Sequence, residues 1–199
     1  MKPTLVVMLK EPHPGRVKTR LGKDIGMVAA AWWFRHQTRH LISRVQDPRW
    51  RVILAVSPDA EGLRSRVWPA HLGRMPQGRG DLGDRMKRAL SLPTAGPVCI
   101  IGSDIPDIDR KQIARAFRAL GPSDAVFGPA PDGGYWLIGL KRMQGVSPRL
   151  FEGVRWSSEH ALADTAASLP TNRIAYVDRL RDVDTLDDLR MTAPGAHVT

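Results

Sequence analysis

The chain has 199 residues, a length typical of one domain with a sizeable core. Hydrophobic residues make up 42%, which excludes an intrinsically disordered composition. The formal net charge is +10, and such an excess favours anionic partners such as nucleotides and phosphorylated substrates. The basic residues are dispersed and no aromatic–basic module is present, which disfavours a nucleic-acid-binding protein.

The apolar runs are short. None approaches the roughly 20 residues that a membrane span needs. The N-terminus has one early lysine and only five consecutive apolar residues, so it lacks the pattern of a signal peptide. The single cysteine, Cys99, lies within an apolar run, where an inert buried thiol is the usual state. These features predict a cytoplasmic protein without an intrachain disulfide.

The first half of the chain alternates apolar runs with amphipathic segments. A strand is predicted at 5–9, followed by a loop at 10–22 that is rich in Gly, Pro and basic residues. A helix follows at 26–45, with Val28, Trp32, Leu41 and Val45 facing the core. The next predictions, in chain order, are a strand at 51–57, a helix at 59–67, a loop at 71–83 and a helix at 81–90.

The second half continues the alternation. The predictions, in chain order, are a strand at 97–102, a helix at 109–120, strands at 125–128 and 134–140, a helix at 159–168, a strand at 173–177, a helix at 185–191 and a loose tail at 193–199. This pattern indicates a three-layer α/β/α fold with a mainly parallel, mixed sheet. Without a linker or an internal repeat, residues 1–192 are expected to form one domain.

Ligands of such folds bind outside the carboxyl ends of the strands. The loop after the first predicted strand should open on that edge. It carries five cations around Gly15: Lys10, Arg16, Lys18, Arg20 and Lys23. Backbone amides near a glycine, together with basic side chains, suit phosphate oxygens, although the loop is neither a Walker A nor a GxGxxG motif. The alternative is a solvated basic loop.

Asp104 ends the third predicted strand, within CIIGSDIPDI. A core strand has no use for an unpaired carboxylate, so Asp104 either caps the next segment or holds a ligand. A second acidic cluster lies in RDVDTLDDL near the C-terminus. Helix capping explains Asp187 and Asp188 there, but it explains Asp182 and Asp184 less well. Carboxylates facing phosphates are typical ligands of Mg²⁺.

Two glycine-rich stretches are further candidates. Asp132-Gly133-Gly134 is a turn signal that suits either a hairpin or the approach of a flat ligand to the backbone. QGRGDLGDRM offers Gln77, whose amide can both donate and accept, or it forms a flexible loop before a helix cap. His36 and His40 share a helix face but lack a third ligand, and GxSxG, CxxC and HExxH are missing.

In combination and order, these segments resemble a bacterial nucleotide-diphospho-sugar transferase-like family, which is glycosyltransferase-like and associated with radical-SAM and arsenosugar-related neighbours. The matching stretches are KEPHPGRVKTRLG, QGRGDLGDRM, IIGSDIPDI, GPAPDGGYWLIGL, VRWSS and DVDTLDDL. The resemblance implies a GT-A fold, with a more distant similarity to cofactor guanylyltransferases and CMP-sugar synthetases. The first loop departs from the LAGGxGxRM form, and Gly102 stands where many glycosyltransferases begin a D-x-D motif.

The resemblance also implies roles. Phosphate binding falls to Lys10, Gly15, Lys18, Arg20 and Lys23, and Lys18 and Arg20 are expected to act in catalysis with Asp104. Asp104 and Asp184, with Asp182 as the alternate, would bind Mg²⁺ or Mn²⁺. The base would meet Gln77, Gly80 and Asp81, and the sugar or acceptor would meet Asp132, Gly133, Gly134 and Trp156.

Three functions stay open at this point. The preferred one is a metal-dependent transferase that uses a nucleotide-sugar donor and a small-molecule acceptor. The alternatives are a nucleotidyltransferase that joins an NTP to a phosphorylated small molecule, and a non-catalytic nucleotide or RNA binder. Trp32, Trp33, Trp50 and Trp68 could lie in the core or at an interface, so the oligomeric state is open.

Overall fold

A computed structural model describes residues 2–93, 96–142, 145–170 and 173–192. The strands are β1 Thr4–Lys10, β2 Arg51–Ser57, β3 Gly73–Pro76, β4 Val98–Ile101, β5 Ala125–Pro129, β6 Tyr135–Leu140 and β7 Ile174–Tyr176. The helices are α1 Thr19–Ile25, α2 Met27–Val45, α3 Asp59–Arg64, α4 Leu82–Leu90, α5 Arg110–Ala119, α6 Ala161–Ala167 and α7 Leu186–Thr192. The predicted tail at 193–199 lies outside the described residues.

The strands form one seven-stranded sheet in the order β3-β2-β1-β4-β6-β5-β7. β1 is parallel to β2 and β4, and β6 runs antiparallel to β4 and β5. The carboxyl ends of β1 and β4 therefore share an edge with the start of β6. This mixed, mainly parallel sheet confirms the predicted fold class.

Helices cover both faces of the sheet. In β1, Leu5, Val7 and Leu9 belong to one buried cluster with residues of α2 and α5, whereas Val6 belongs to another with residues of α4. Successive side chains of a strand point to opposite faces, so a continuous apolar run is buried on both sides. The predicted three layers follow from this pattern.

Two elements were missed in the predicted loops. Residues 19–25 form α1, and its Leu21 is fully buried although Gly and basic residues surround it in the sequence. Gly73–Pro76 is a four-residue strand at the edge of the sheet, where a terminal proline and a short length are tolerated. Helix α3 ends at Arg64, three residues before the predicted end at Val67.

The predicted core face of the second helix was half wrong. Leu41 and Val45 are fully buried, but Val28 is 65% exposed and Trp32 is 61% exposed. The buried positions begin at Ala30 and follow helical spacing, so positions 28 and 32 fall on the opposite face. Trp50 and Trp68 lie in the core. None of the helices in the described ranges has both the length and the apolar character for crossing a membrane.

Candidate active site

A cavity of about 590 Å³ opens at the sheet edge where β1 and β4 end and β6 begins. Its lining includes predicted site residues from four separate parts of the chain: Lys10, Lys18, Arg20, Gln77, Asp104, Asp132, Gly134, Trp156, Asp182 and Asp184. The fold therefore brings most of the predicted site together.

Three aspartates meet at this edge. Asp104, Asp182 and Asp184 each offer a carboxylate oxygen, and these oxygens all lie within 4.8 Å of one another. Asp104 follows β4 directly, whereas the other two come from the segment between β7 and α7. The predicted pairing of Asp104 with the late aspartates is confirmed as a geometric arrangement.

Backbone hydrogen bonds bring the late aspartates to Asp104. Beyond β7, the amide of Val177 donates to the Phe127 carbonyl (2.9 Å) and the amide of Leu180 donates to the Pro129 carbonyl (3.1 Å). Val183 is fully buried, and its amide donates to the carbonyl of Asp104 itself (3.2 Å). The segment 177–184 thus runs along the sheet edge and ends beside β4.

Lys18 lies between two of the carboxylates. Its Nζ donates to Asp104 Oδ2 (2.7 Å) and to Asp184 Oδ1 (2.6 Å), and its side chain is 6% exposed. Burial lowers the pKa of Lys18, but Asp104 and Asp184 outweigh this effect and raise it above the ordinary value. Arg20 Nη1 also donates to Asp184 (3.2 Å).

The backbone of Lys18 is left-handed, with φ 45° and ψ 47°, immediately before α1. This conformation is uncommon for a residue with a Cβ and persists where the surroundings determine it. Here it coincides with the turn that directs the ammonium group towards the acidic cluster.

Asp182 carries the cost of this concentration of charge. Partial burial, together with the negative charges of Asp104 and Asp184, raises the pKa of Asp182 to about 6. A divalent cation would relieve this repulsion. Three carboxylate oxygens are a hard donor set that suits Mg²⁺ or Mn²⁺, so the residues fit such an ion.

The first loop contributes unequally. Lys10, Arg16, Lys18 and Arg20 line the cavity, whereas Gly15 and Lys23 are not among its lining residues. Gly15 has φ +75° and allows the turn before α1, since a Cβ there would meet nothing within 4 Å.

Gln77 lies at the cavity with its side chain fixed. Its Nε2 donates to the carbonyls of Leu9 (3.0 Å) and Ala55 (2.9 Å), so the amide nitrogen joins the ends of β1 and β2. Gly80 and Asp81, which were predicted to contact the base, do not line the cavity. Asp81 instead caps α4 by accepting from the Asp84 amide.

Asp132, Gly133 and Gly134 form the turn between β5 and β6. Asp132 Oδ1 accepts from the Gly134 amide (2.9 Å), and both residues line the cavity. Gly133 has a structural reason instead, because a Cβ there would collide with the backbone of Glu159. The hairpin and the ligand-facing interpretations of this stretch are therefore compatible.

Residue-by-residue reasoning did not single out several lining residues, namely Leu82, Met86, Tyr135, Ser157 and Ser158. Tyr135 and the two serines lie inside motifs that carried the resemblance, which was the available signal. Leu82 and Met86 follow helical spacing in α4, so the sequence indicates only an amphipathic helix.

Residues 41–158, more than half of the chain, match the family model described as "Uncharacterized protein conserved in bacteria (DUF2064)". The chain belongs to this family. A search of curated proteins found no match.

Solved structures extend the comparison. A candidate nucleotide-diphospho-sugar transferase from Desulfovibrio desulfuricans G20 is 30% identical, with a TM-score of 0.86 over 96% of this chain and 86% of that chain. This relative confirms the resemblance and the type of fold.

Two more distant structures show the fold alone. The 4-diphosphocytidyl-2C-methyl-D-erythritol synthase of Anaerococcus prevotii DSM 20548 is 10% identical, with a TM-score of 0.60 over 94% of this chain and 92% of that chain. Rv0371c of Mycobacterium tuberculosis H37Rv, in complex with manganese, is 18% identical, with a TM-score of 0.53 over 96% of this chain and 97% of that chain. The structures similar to this chain thus include transferases that act on nucleotides.

Proposed function

We propose that this protein is a divalent-metal-dependent transferase that uses a nucleotide-diphospho-sugar as its donor. The observation that carries the proposal is the convergence of Asp104, Asp182 and Asp184 with Lys18 in a cavity that also holds three other cations. Such a site can neutralise a diphosphate and hold the ion bound to it.

The charge of the cavity favours a nucleotide-sugar over an NTP. Its described lining contains four basic side chains, Lys10, Arg16, Lys18 and Arg20, and four carboxylates, Asp104, Asp132, Asp182 and Asp184. These charges cancel, so one divalent cation leaves the site with a net charge of about +2. A nucleotide-sugar diphosphate carries about two negative charges, whereas an NTP with a phosphorylated acceptor carries about six.

The residues have separate tasks in this proposal. Asp104, Asp182 and Asp184 hold the metal, while Lys10, Arg16 and Arg20 bind diphosphate oxygens. Lys18 contacts the acidic cluster in the free protein and would turn towards the diphosphate as the ion takes its place between the carboxylates. When bound, the metal supplies a Lewis acid for the departing diphosphate.

The comparisons support the proposal without establishing the donor. The relative from Desulfovibrio desulfuricans G20 carries a description of the same class, and the Mycobacterium tuberculosis structure that shares the fold contains manganese. Cytidylyltransferases share the fold as well, which keeps nucleotidyl transfer as the alternative.

Ligand-induced stabilisation tests the proposal. Thermal unfolding is measured with UDP-, GDP-, ADP- and CDP-sugars and with the NTPs, each with Mn²⁺, Mg²⁺ or EDTA. At 100-fold above its Kd, a true ligand stabilises the native state by about 2.7 kcal/mol. We expect one nucleotide-sugar to do so with metal and to lose most of the effect in EDTA.

Asp104→Asn, with the exposed Asp107→Asn as its matched control, assigns the effect to the acidic cluster. The first variant should lose the metal-dependent part of the stabilisation and at least about 100-fold in turnover, whereas the control should retain both. Stabilisation and turnover with an NTP alone would replace this proposal by nucleotidyl transfer. Salt-sensitive binding of RNA without turnover of any nucleotide would replace it by a non-catalytic binder.

A further inference from the structure

The cations of the cavity occupy only one of its sides. Among the described lining residues, all Lys and Arg side chains come from residues 10–20, beside β1. The opposite side is lined by Leu82 and Met86 of α4, Tyr135 of β6, and Trp156 and Ser157 of the loop before α6. We call these five residues the aromatic wall.

The aromatic wall is a packed surface. The Tyr135 hydroxyl contacts Met86 Sδ (3.9 Å) and Thr165 Oγ1 (3.3 Å). The indole of Trp156 packs against α4, because a Cβ at Gly83 would lie 2.9 Å from its Cζ2. A ligand on this side therefore meets a fixed surface with an apolar face and hydroxyl groups.

We propose that the aromatic wall binds the acceptor, and that the acceptor is an uncharged molecule with at least one hydroxyl group and an apolar or ring face, not a phosphorylated compound. The inference rests on the proposed function and names the second substrate class of the same cavity.

The placement of charges supports an uncharged acceptor. The nearest basic residues of the loops behind the wall are engaged elsewhere: Arg155 forms two 2.9 Å hydrogen bonds to Asp164, and Arg85 Nε donates to the Gly80 carbonyl. A phosphate on this side would lie near the carboxylates of the cavity without a cation from the wall. Phosphate-binding sites instead use Arg, Lys or a helix N-terminus.

The wall offers the contacts that a hydroxylated ring needs. Aromatic faces pack against the apolar face of a ring, and a few polar groups then fix its orientation. Ser157 has a left-handed backbone, with φ 56°, and its hydroxyl has no hydrogen-bond partner within the described part of the chain. Burial raises the pKa of Tyr135, although its hydrogen bond with Thr165 opposes this effect, so its hydroxyl stays protonated at neutral pH.

The transfer step balances with the residues present. The acceptor oxygen forms a bond to the anomeric carbon of the sugar as the bond from that carbon to the diphosphate oxygen breaks. The electron pair leaves on the nucleoside diphosphate, and the hydroxyl proton passes to the carboxylate of Asp132. Asp132 is the one acidic side chain of the described lining that lies outside the three-aspartate cluster.

Matched acceptor pairs test the inference. The nucleotide-sugar that stabilises the protein is incubated with metal and with each member of three pairs: glycerol and glycerol 3-phosphate, glucose and glucose 6-phosphate, and 4-nitrophenyl glucoside and its 6-phosphate. Products are identified by mass spectrometry. We expect transfer to the neutral member at a kcat/KM at least about tenfold higher, most clearly for the aryl glucoside.

Variants locate the effect on the wall. Trp156→Ala should lower kcat/KM for the aryl glucoside by at least about tenfold, whereas Trp32→Ala, at an exposed position on α2, should match the wild type. Leu82 is 47% exposed, so Leu82→Arg adds a cation without filling a buried space, and it should shift the preference towards the phosphorylated members. Asp132→Asn, which keeps an oxygen for the Gly134 amide, should lower kcat and leave the acceptor KM unchanged.

The outcomes separate this inference from the proposed function. If no nucleotide-sugar stabilises the protein, the proposed function fails and the inference fails with it. If a donor binds with metal but the phosphorylated members are preferred, or no member of any pair accepts the sugar, the donor assignment stands and the inference about the acceptor is overturned.

Discussion

Lys18 shows how one residue can neutralise an acidic site. Its ammonium group contacts both Asp104 and Asp184 and is nearly inaccessible to solvent. Burying this charge without partners would be costly, and the two carboxylates would repel each other without it. A lysine and a divalent cation can therefore satisfy the same carboxylates in turn.

Asp182 receives no such contact, and its substitution gives a prediction. Its pKa is raised to about 6 from an unfolded value near 3.8, so between these values the native state binds more protons than the unfolded state. This group therefore makes metal-free stability fall as the pH rises from about 4 to about 6. Asp182→Asn should remove the loss and stabilise the metal-free protein at pH 7 by about 1 kcal/mol, after allowance for solvent screening.

Urea unfolding in EDTA at pH 4.5 and pH 7 measures the effect. The variant and the wild type should be closer in stability at pH 4.5 than at pH 7. A variant that is less stable than the wild type at pH 7 would contradict the proposed repulsion.

The segment between β7 and α7 shows how elements position ligands. Its backbone pairs with β5 and then with Asp104, and Trp136 Nε1 donates to the Asp178 carbonyl (2.8 Å). At its end, Asp188 Oδ2 accepts from the amides of Asp184 (3.2 Å) and Thr185 (2.9 Å) and from the Thr185 hydroxyl (2.7 Å). The predicted capping role is confirmed for Asp188, whereas Asp187 is exposed and lies 3.4 Å from Arg190.

Asp188→Ala tests this positioning. Loss of the cap should reduce stability by about 1 kcal/mol, and the freed turn should weaken Mn²⁺ binding through Asp184 by about tenfold. The matched control, Asp187→Ala, should change stability by less than about 0.5 kcal/mol and leave Mn²⁺ binding unchanged. Calorimetric titration with Mn²⁺ and urea unfolding measure both effects, and equal Mn²⁺ affinities for the two variants would exclude the positioning role.

At the scale of the whole molecule, the sheet is buried on both faces, and β4 lies at its centre between β1 and β6. Cys99 of β4 is fully buried, and burial raises the pKa of its thiol. Gly139 of β6 packs directly on its sulfur, where a Cβ would not fit. The thiol therefore reports on the opening of the sheet centre.

Cys99 should react with a thiol reagent only when the sheet opens. Because core strands exchange only through nearly global unfolding, the native protein should react at least about 1,000-fold more slowly than the protein in urea. The measurement is the rate of reaction with a disulfide reagent across a urea series. Fast reaction in the native state would show that β4 opens locally.

The sequence predicted the elements that buried runs define. The strands at β1, β2, β4, β5 and β6 are apolar runs bounded by turn residues, and their alternation with helices was sufficient for the fold class. Val28 and Trp32 were placed wrongly because a helix with large residues on several faces does not reveal which face has a partner. The strand β3 was missed because a four-residue edge strand has too few positions to form a pattern.

By itself the sequence determined which carboxylates were surplus to capping, since Asp104 follows a buried strand and Asp182 and Asp184 precede a helix that Asp188 caps. Only the tertiary structure decided that they meet, that Lys18 lies between two of them and that the cations occupy one side of the cavity. The physical reason is that local patterns reflect burial and capping within one element, whereas the relative positions of residues about 80 apart depend on strand order and on the hydrogen bonds that hold the last segment against the sheet.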